Sequence, residues 1–405
     1  MKILVLNAGS SSQKSCLYEI TGHSLPIDPP QPIWEASVDW TYHQGVAKIK
    51  VKTATGKELQ EEIPTQDRRA VITHLLEMLW QGGTAVIDHP SEIDLVGHRV
   101  VHGGKDYGET VPITDEVKAT IDRLSALAPA HNPANLEGIV AIEQILGHEV
   151  PQYAVFDTAF HSHLPDAAAI YPGPYAWVDR GIRRYGFHGI SHEYCAQRAA
   201  QLLDRNVSEL RLIICHLGNG CSLSAVHNGH SINTTMGFTP LEGLMMGSRS
   251  GSIDPGLLIH LLRQDGYTVD QLDQDLNRES GLKGISGVSA DLRQVMSAIE
   301  AGNPRAILAL EIYIHRLRSG IGSMLASLGG LDALVFTAGV GENAAIVRSG
   351  ACETFGFLGL KLDHSRNESH PVDTDIATED SRVRILVIHT EEDWAIARSC
   401  LQRLL

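Results

Sequence analysis

Two short stretches combine apolar runs, glycines and small hydroxyls in the same order. Ile3-Leu4-Val5-Leu6 runs into Asn7-Ala8-Gly9-Ser10-Ser11-Ser12, and Leu212-Ile213-Ile214-Cys215 runs into His216-Leu217-Gly218-Asn219-Gly220-Cys221-Ser222. Each reads as a short buried strand, a tight polar turn and a second strand. Such turns present backbone N–H groups and hydroxyls to an anion, and glycine lets the main chain come close to it. One copy would say little. Two copies point to a duplicated domain whose halves grip a polyphosphate.

Other groups suit the same chemistry. Gly339-Val340-Gly341-Glu342-Asn343 follows an apolar run and precedes a helical pattern from Ala344 to Arg348. It reads either as a nucleotide-accepting helix start or as a plain strand-to-helix turn. Tyr185-Gly186-Phe187-His188-Gly189-Ile190-Ser191-His192 spaces two histidines as a metal pair would on a helix, but Gly189 interrupts that helix. A histidine offered to an anion beside a glycine turn is the better reading of His188. In Gly243-Leu244-Met245-Met246-Gly247-Ser248-Arg249-Ser250-Gly251 one arginine stands among small residues, as a guanidinium held against phosphate oxygens requires. Arg99, in His98-Arg99-Val100-Val101, ends a strand and reads as an anion ligand or a buried ion pair. Asp157 ends another and reads as a holder of magnesium through water or as a turn cap. Thr390 and Asp393 make a capping box ahead of the last helix, which contains Glu392.

The elements that must position these residues follow an α/β pattern. Apolar runs at 95–96, 154–156, 334–336 and 385–388 each end in polar or glycine residues, and helical patterns separate them. One helix is bounded by Asn303-Pro304 and Gly329-Gly330. Ligands of such sheets lie beyond the carboxyl ends of the strands, where Arg99, Asp157, Gly339 and Glu392 fall. The proline-containing stretches His23 to Trp34 and Ser162 to Tyr185 read as a surface excursion and a long loop. A length of 405 residues implies two domains. A net charge of −15 argues against a general nucleic-acid binder, so an anionic ligand needs local arginines and dipoles. Six cysteines without a C-x-x-C pair, no signal-peptide layout and no long apolar stretch suggest a cytoplasmic protein with reduced thiols.

Taken together, these segments resemble the acetokinase family of the acetate/sugar kinase, Hsp70 and actin superfamily. Asn7 to Ser12, Arg184 to Gly189 and Met236 to Gly247 carry the resemblance, which runs from Met1 to about Arg398. It implies an α/β fold of two duplicated βββαβαβα (ribonuclease H-like, actin-like ATPase) domains with an interdomain active-site cleft. The first domain would hold residues 1–157 plus 392–405, and the second, for nucleotide binding and dimerisation, residues 158–391. It further implies a homodimer, ATP/ADP as co-substrate, Mg²⁺ or Mn²⁺, and reversible phosphoryl transfer to acetate without nucleic-acid or membrane partners. Matched by position, Asn7 and Glu392 are metal-site residues. Lys14, His216, Leu217, Gly218, Asn219, Gly220, Asp291, Leu292, Arg293, Gly339, Val340, Gly341, Glu342 and Asn343 are ATP-binding. Asp157, His188 and Arg249 are catalytic, Arg99 binds the carboxylate, and Val101, Ala130, Phe187 and Pro240 line the acyl pocket.

The chain departs from the family pattern at Asn233, Ser252, Glu391 and Asp393, and at Ala130, where leucine is usual. A smaller residue there implies that propionate is accepted better than is typical. The competing readings are a propionate or butyrate kinase, an actin- or Hsp70-like ATPase that drives partner binding, and a metal hydrolase resting on the histidine pairs.

Overall fold

The computed structural model describes residues 1–404 apart from 10, 11, 23, 24, 44, 66 and 67, and the side chains of 41 and 42. Ser10 and Ser11 of the first glycine turn, and His23, therefore lie outside the described residues. The chain divides into two compact units, Met1–Ser162 with Glu391–Leu405, and His163–Thr390.

The first unit is organised by an eight-stranded sheet. β1 (Lys2–Ala8), β2 (Ser12–Glu19), β3 (Trp34–His43), β4 (Val46–Thr53) and β5 (Glu58–Pro64) form an antiparallel meander. β6 (Leu95–Val100), β7 (Val111–Pro112) and β8 (Gln152–Phe156) complete the order β5-β4-β3-β2-β1-β6-β8-β7. β1, β6 and β8 run parallel. β4 shows why these residues form strands: Ala47, Ile49 and Val51 face the core, with lysines between them. The helix Asn132–Leu146 packs on β1 and β6, and its Ala141 and Ile142 join Leu4 and Leu6 in one core. The C-terminal helix Glu392–Leu404 packs on β1, β2, β6 and β8.

The second unit has six strands: β9 (Arg211–Leu217), β10 (Cys221–His227), β11 (His230–Thr234), β12 (Ala333–Thr337), β13 (Thr374–Asp375) and β14 (Arg384–Val387). Their order is β11-β10-β9-β12-β14-β13, with β9, β12 and β14 parallel. Ile213, Ile214, Val335 and Phe336 are wholly buried, as strands covered on both faces demand. The helix Pro304–Leu328 starts where Asn303 accepts from the N–H groups of Arg305 and Ala306, and stops at left-handed Gly329. Leu310, Tyr313, Leu317, Ile321, Met324 and Leu328 make its buried stripe.

The run β3-β2-β1-β6-β8 of the first sheet and the run β11-β10-β9-β12-β14 of the second share one plan: an antiparallel meander of three strands whose first member is followed by two parallel strands. Both glycine turns join the first strand to the second. The duplicated plan is therefore met, with differences: β4 and β5 extend the first sheet alone, and the helix Gly189–Leu202, which packs on β9 and β12, precedes β9 in the chain. Two further expectations need correction. Residues 162–185 contain short helices at Asp166–Ala169 and Ala176–Asp179. Ala338–Asn343 is itself a helical turn, because β12 leads straight into it. All six cysteines are free and buried, and among the described residues no helix is long and apolar enough to cross a membrane.

Candidate active site

In the first unit, chemistry gathers at the carboxyl ends of the parallel strands. Arg99, near the end of β6, donates from Nε to both carboxylate oxygens of Asp157 at 3.1 Å and from Nη2 to Oδ2 at 2.6 Å. Its Nη1 donates to Asn7 Oδ1 at 3.1 Å. Asn7 Nδ2 in turn donates to Asp393 Oδ1 at 2.9 Å and to Glu392 Oε2 at 3.3 Å. Burial alone would lower the Arg99 pKa; the carboxylates of Asp157 and Glu392 outweigh it and raise it. Burial pushes the Asp157 carboxyl up, and Arg99 opposes that shift. The ion-pair reading of Arg99 is thus met: its guanidinium is paired with Asp157 near the end of β6. The amide of Asn7 and the carboxylates of Glu392 and Asp157 suit Mg²⁺, which keeps its waters and substrate phosphates and needs no protein cage. Among the described residues no group of three or more His, Cys, Asp or Glu is arranged to hold a metal.

Neighbouring backbone fixes this cluster. A Cβ on Gly97 would lie 2.8 Å from Cys400 Sγ and 2.9 Å from Ile396 Cγ2, so glycine in β6 lets the C-terminal helix seat Glu392. Asn132 and Asn135, both missed in the sequence, brace the loop after β6. Asn132 Oδ1 accepts from the N–H of His102, and Asn135 Oδ1 accepts from that of Val101. Asn135 Nδ2 reaches Ala8 O at 3.2 Å. Val101 is buried, Ala130 exposed, and Lys14 exposed on β2, where its charge acts on Asp393. The capping box of Thr390 and Asp393 is not what the hydrogen bonds record. Asp393 accepts from Asn7; Thr390 donates its N–H to Glu342 and pairs its hydroxyl with Ser191.

In the second unit, His188 holds a left-handed backbone (φ 58°) at the start of the helix Gly189–Leu202, so Gly189 opens that helix rather than interrupting it. A Cβ on Gly220 would stand 3.4 Å from His188 Nε2, His188 Cε1 and Arg249 Nη1. The glycine turn therefore leaves room beside an imidazole and a guanidinium. Arg249 donates to Pro240 O at 3.2 Å, and among the described residues no carboxylate lies within ion-pair distance of it. Burial lowers its pKa. The loop that carries it closes on itself: Met246 N–H to Arg249 O, Gly247 N–H to Asn219 O, and Ser252 Oγ accepting from Gly243 N–H. Arg184 and Tyr171 both donate to Glu242, and Arg184 also caps the carbonyls of Thr235 and Met236, tying together the stretches Arg184 to Gly189 and Met236 to Gly247. Phe187 is buried and Pro240 half-buried.

A cleft of 1170 Å³ opens in this unit. Gly218, Asn219, Asp291, Leu292, Arg293, Gly339, Val340 and Asn343 line it, three sequence segments brought to one place. His216, Leu217, Gly220, Gly341 and Glu342 do not. Gly341 packs against β12, and Glu342 is bound by His389 Nδ1 at 2.6 Å and the Thr390 N–H at 3.1 Å. Desolvation alone would raise the Glu342 pKa; these partners more than offset it. Asp291 caps the helix Leu292–Glu300 and pairs with Arg293 at 2.6 Å. Met296, Ser297 and Glu300, one face of that helix, also line it, as do Ser289, Ala290, Ala344, Ala345 and Ile346, and no sequence motif marks any of these as site residues.

The profile of the acetokinase family matches residues 2–398. An acetate kinase from Cyanothece sp. strain PCC 7425 is 68% identical over 402 residues, covering 99% of this chain and 98% of the relative. The solved acetate kinase of Porphyromonas gingivalis is 38% identical with a TM-score of 0.91, each chain covered in full. A solved propionate kinase from Francisella tularensis is also 38% identical, with a TM-score of 0.89 and full coverage of both chains. Matches of this extent leave one conclusion: the chain belongs to the acetokinase family.

Proposed function

We propose that this protein is an acetate kinase, which transfers the γ-phosphoryl group of ATP to acetate directly and reversibly and so links acetate, acetyl phosphate and acetyl-CoA metabolism. The observation that carries the reading is Arg249: a guanidinium with no carboxylate partner among the described residues, held with His188 Nε2 beside a glycine turn. A half-buried cation of this kind is costly unless an anion joins it.

Acetate is already ionised at neutral pH, since carboxyl pKa values lie near about 4. No strong base is needed; the difficulty is bringing an anion up to a polyanion. Phosphoryl transfer then depends on alignment and charge neutralisation. Within the second unit the cleft suits ATP, with Asn219 and the start of the helix Leu292–Glu300 among its walls, and His188 and Arg249 donate to the transferring oxygens. Within the first unit Arg99 is assigned the acyl carboxylate, and Val101 the acyl chain; Ala130 there, and Phe187 and Pro240 in the second unit, share that assignment. Asn7 and Glu392, with Asp157 orienting bound water, would hold Mg²⁺, which neutralises phosphate charge when present. Lys14 is assigned to the nucleotide.

A second copy of the chain covers an apolar face. The helix Pro255–Gln264 buries none of its residues, and Leu257, Ile259 and Leu262 are 45%, 50% and 38% exposed. Light scattering should give the mass of a homodimer; a monomer would remove this part of the reading. Free buried thiols accord with a cytoplasmic protein.

The test is acyl phosphate formation, trapped as hydroxamate, with ATP, Mg²⁺ and acetate, propionate or butyrate in turn. Acetate in the lead is the expected result. Propionate in the lead would make this a propionate kinase, the second reading, which the small residue at 130 favours. ATP turnover without acyl phosphate from any acid would overturn both.

A further inference from the structure

Ser222, on β10 and fully buried, lies between two imidazoles. Its Oγ is 2.9 Å from His188 Nδ1 and 2.7 Å from His192 Nε2. A hydroxyl carries one proton, so it donates to at most one of the two rings, and when it donates to one it accepts from the other. The proton on His188 is thereby tied to the proton on His192. His188 Nε2 points the other way, toward Gly220, where Arg249 Nη1 also stands. His216 stacks on the His188 ring at 4.2 Å between centroids and is held by its own serine, Ser191, at 2.8 Å. The ring is thus fixed in orientation, and its protonation pattern is set from behind.

We propose that Ser222 and His192 are positioning residues for His188: His192 Nε2–H donates to Ser222, Ser222 donates to His188 Nδ1, and His188 presents Nε2–H to an anion beside Gly220. With the chain reversed, a neutral His188 would turn a lone pair toward phosphoryl oxygens and repel them. No bond forms or breaks in the arrangement; it fixes where one proton sits. The inference rests on the phosphoryl-transfer reading for its purpose, but not for its geometry.

The test has two arms. In the first, ¹⁵N-labelled histidine spectra are recorded on the wild-type protein with ADP, Mg²⁺ and inorganic phosphate, with His188→Ala and His192→Ala used for assignment. The expected result is an Nε2-protonated, Nδ1-accepting His188 and an Nε2-protonated His192. A proton on His188 Nδ1 would overturn the proposal. This arm needs no activity and no serine variant that might misfold, so it fails independently of the acetate kinase reading. In the second arm, Ser222→Ala lowers kcat by about 10- to 100-fold, the range for partners that orient a reacting ligand, with KM for acetate and ATP little changed. Added to His188→Ala, the same change does nothing further, because Ser222 acts only through that ring. A full additional loss in the His188→Ala background would overturn the proposal.

Discussion

Arg99 and Asp157 form a buried ion pair across adjacent parallel strands, with Nη2 and Oδ2 2.6 Å apart. The pair is a constraint as much as an attraction. Removing the cation leaves a carboxylate that burial already pushes toward its neutral form. Arg99→Met is therefore expected to cost about 3–5 kcal/mol in urea unfolding, and Arg99→Met with Asp157→Leu to recover much of that, because no lone charge remains. Both variants should lose acyl phosphate formation. Equal destabilisation by the single and double changes would show that packing, not charge, dominates.

Gly97 carries the next prediction. Its missing Cβ is the gap into which Ile396 and Cys400 fit, one turn and two turns beyond Glu392. Gly97→Val should lift the C-terminal helix, costing about 1–3 kcal/mol as an overpacked core does, and should raise the Mg²⁺ concentration needed for half-maximal rate. A lower melting temperature with an unchanged Mg²⁺ titration would separate Glu392 from metal binding.

His98 gives a pH dependence. Burial lowers its pKa from 6.5 to about 4, partly opposed by its bond to Gln152 at 2.7 Å. Between these values the unfolded chain holds a proton that the native protein does not, so stability rises with pH across that window. The contribution is complete above about pH 6.5 and is lost as pH falls toward 4. It amounts to about 3 kcal/mol at neutrality. Urea midpoints measured from pH 4 to 7.5 should converge at low pH between wild type and His98→Asn, and diverge at high pH. Parallel curves would refute it.

Much of this architecture is legible in the residues. The runs Ile3–Leu6 and Leu212–Cys215 are too short for helices and end in glycine turns, and they became the first strands of two matching sheets. Asn303-Pro304 and Gly329 bracket a helix because a side-chain acceptor and a left-handed glycine act locally. What was not legible depends on partners distant in sequence. Ser222 matters because His188 and His192 face it, and Asn135 because Ala8 does. Met296, Ser297 and Glu300 look like any amphipathic helix until the cleft is seen. Glycines at a strand end leave Gly339 to Asn343 open between a helix start and a plain turn, and it is the direct run of β12 into the helix Ala338–Asn343 that makes them helical.

Gly220 can be tested without removing a donor. Its backbone is outside the left-handed region, so alanine is tolerated locally, and the added methyl would touch His188 and Arg249 at 3.4 Å. Gly220→Ala should change stability by less than about 1 kcal/mol. It should lower kcat for acyl phosphate formation by about 10-fold or more, since it occupies the space beside both donors. Normal turnover would mean that the transferring group does not pass there.

Ala130 decides between close substrates. It is exposed just ahead of the helix Asn132–Leu146, so a larger side chain there should leave the fold intact. Ala130→Leu adds three carbons where the acyl chain is assigned. A methylene in an apolar pocket is worth about 1–3 kcal/mol of discrimination. The variant should therefore keep its acetate kcat/KM within about two-fold while losing about 10-fold or more on propionate. Stability should match wild type, which makes altered folding an inadequate explanation of any change. An unchanged ratio of propionate to acetate would remove residue 130 from the acyl site and place chain-length selection elsewhere.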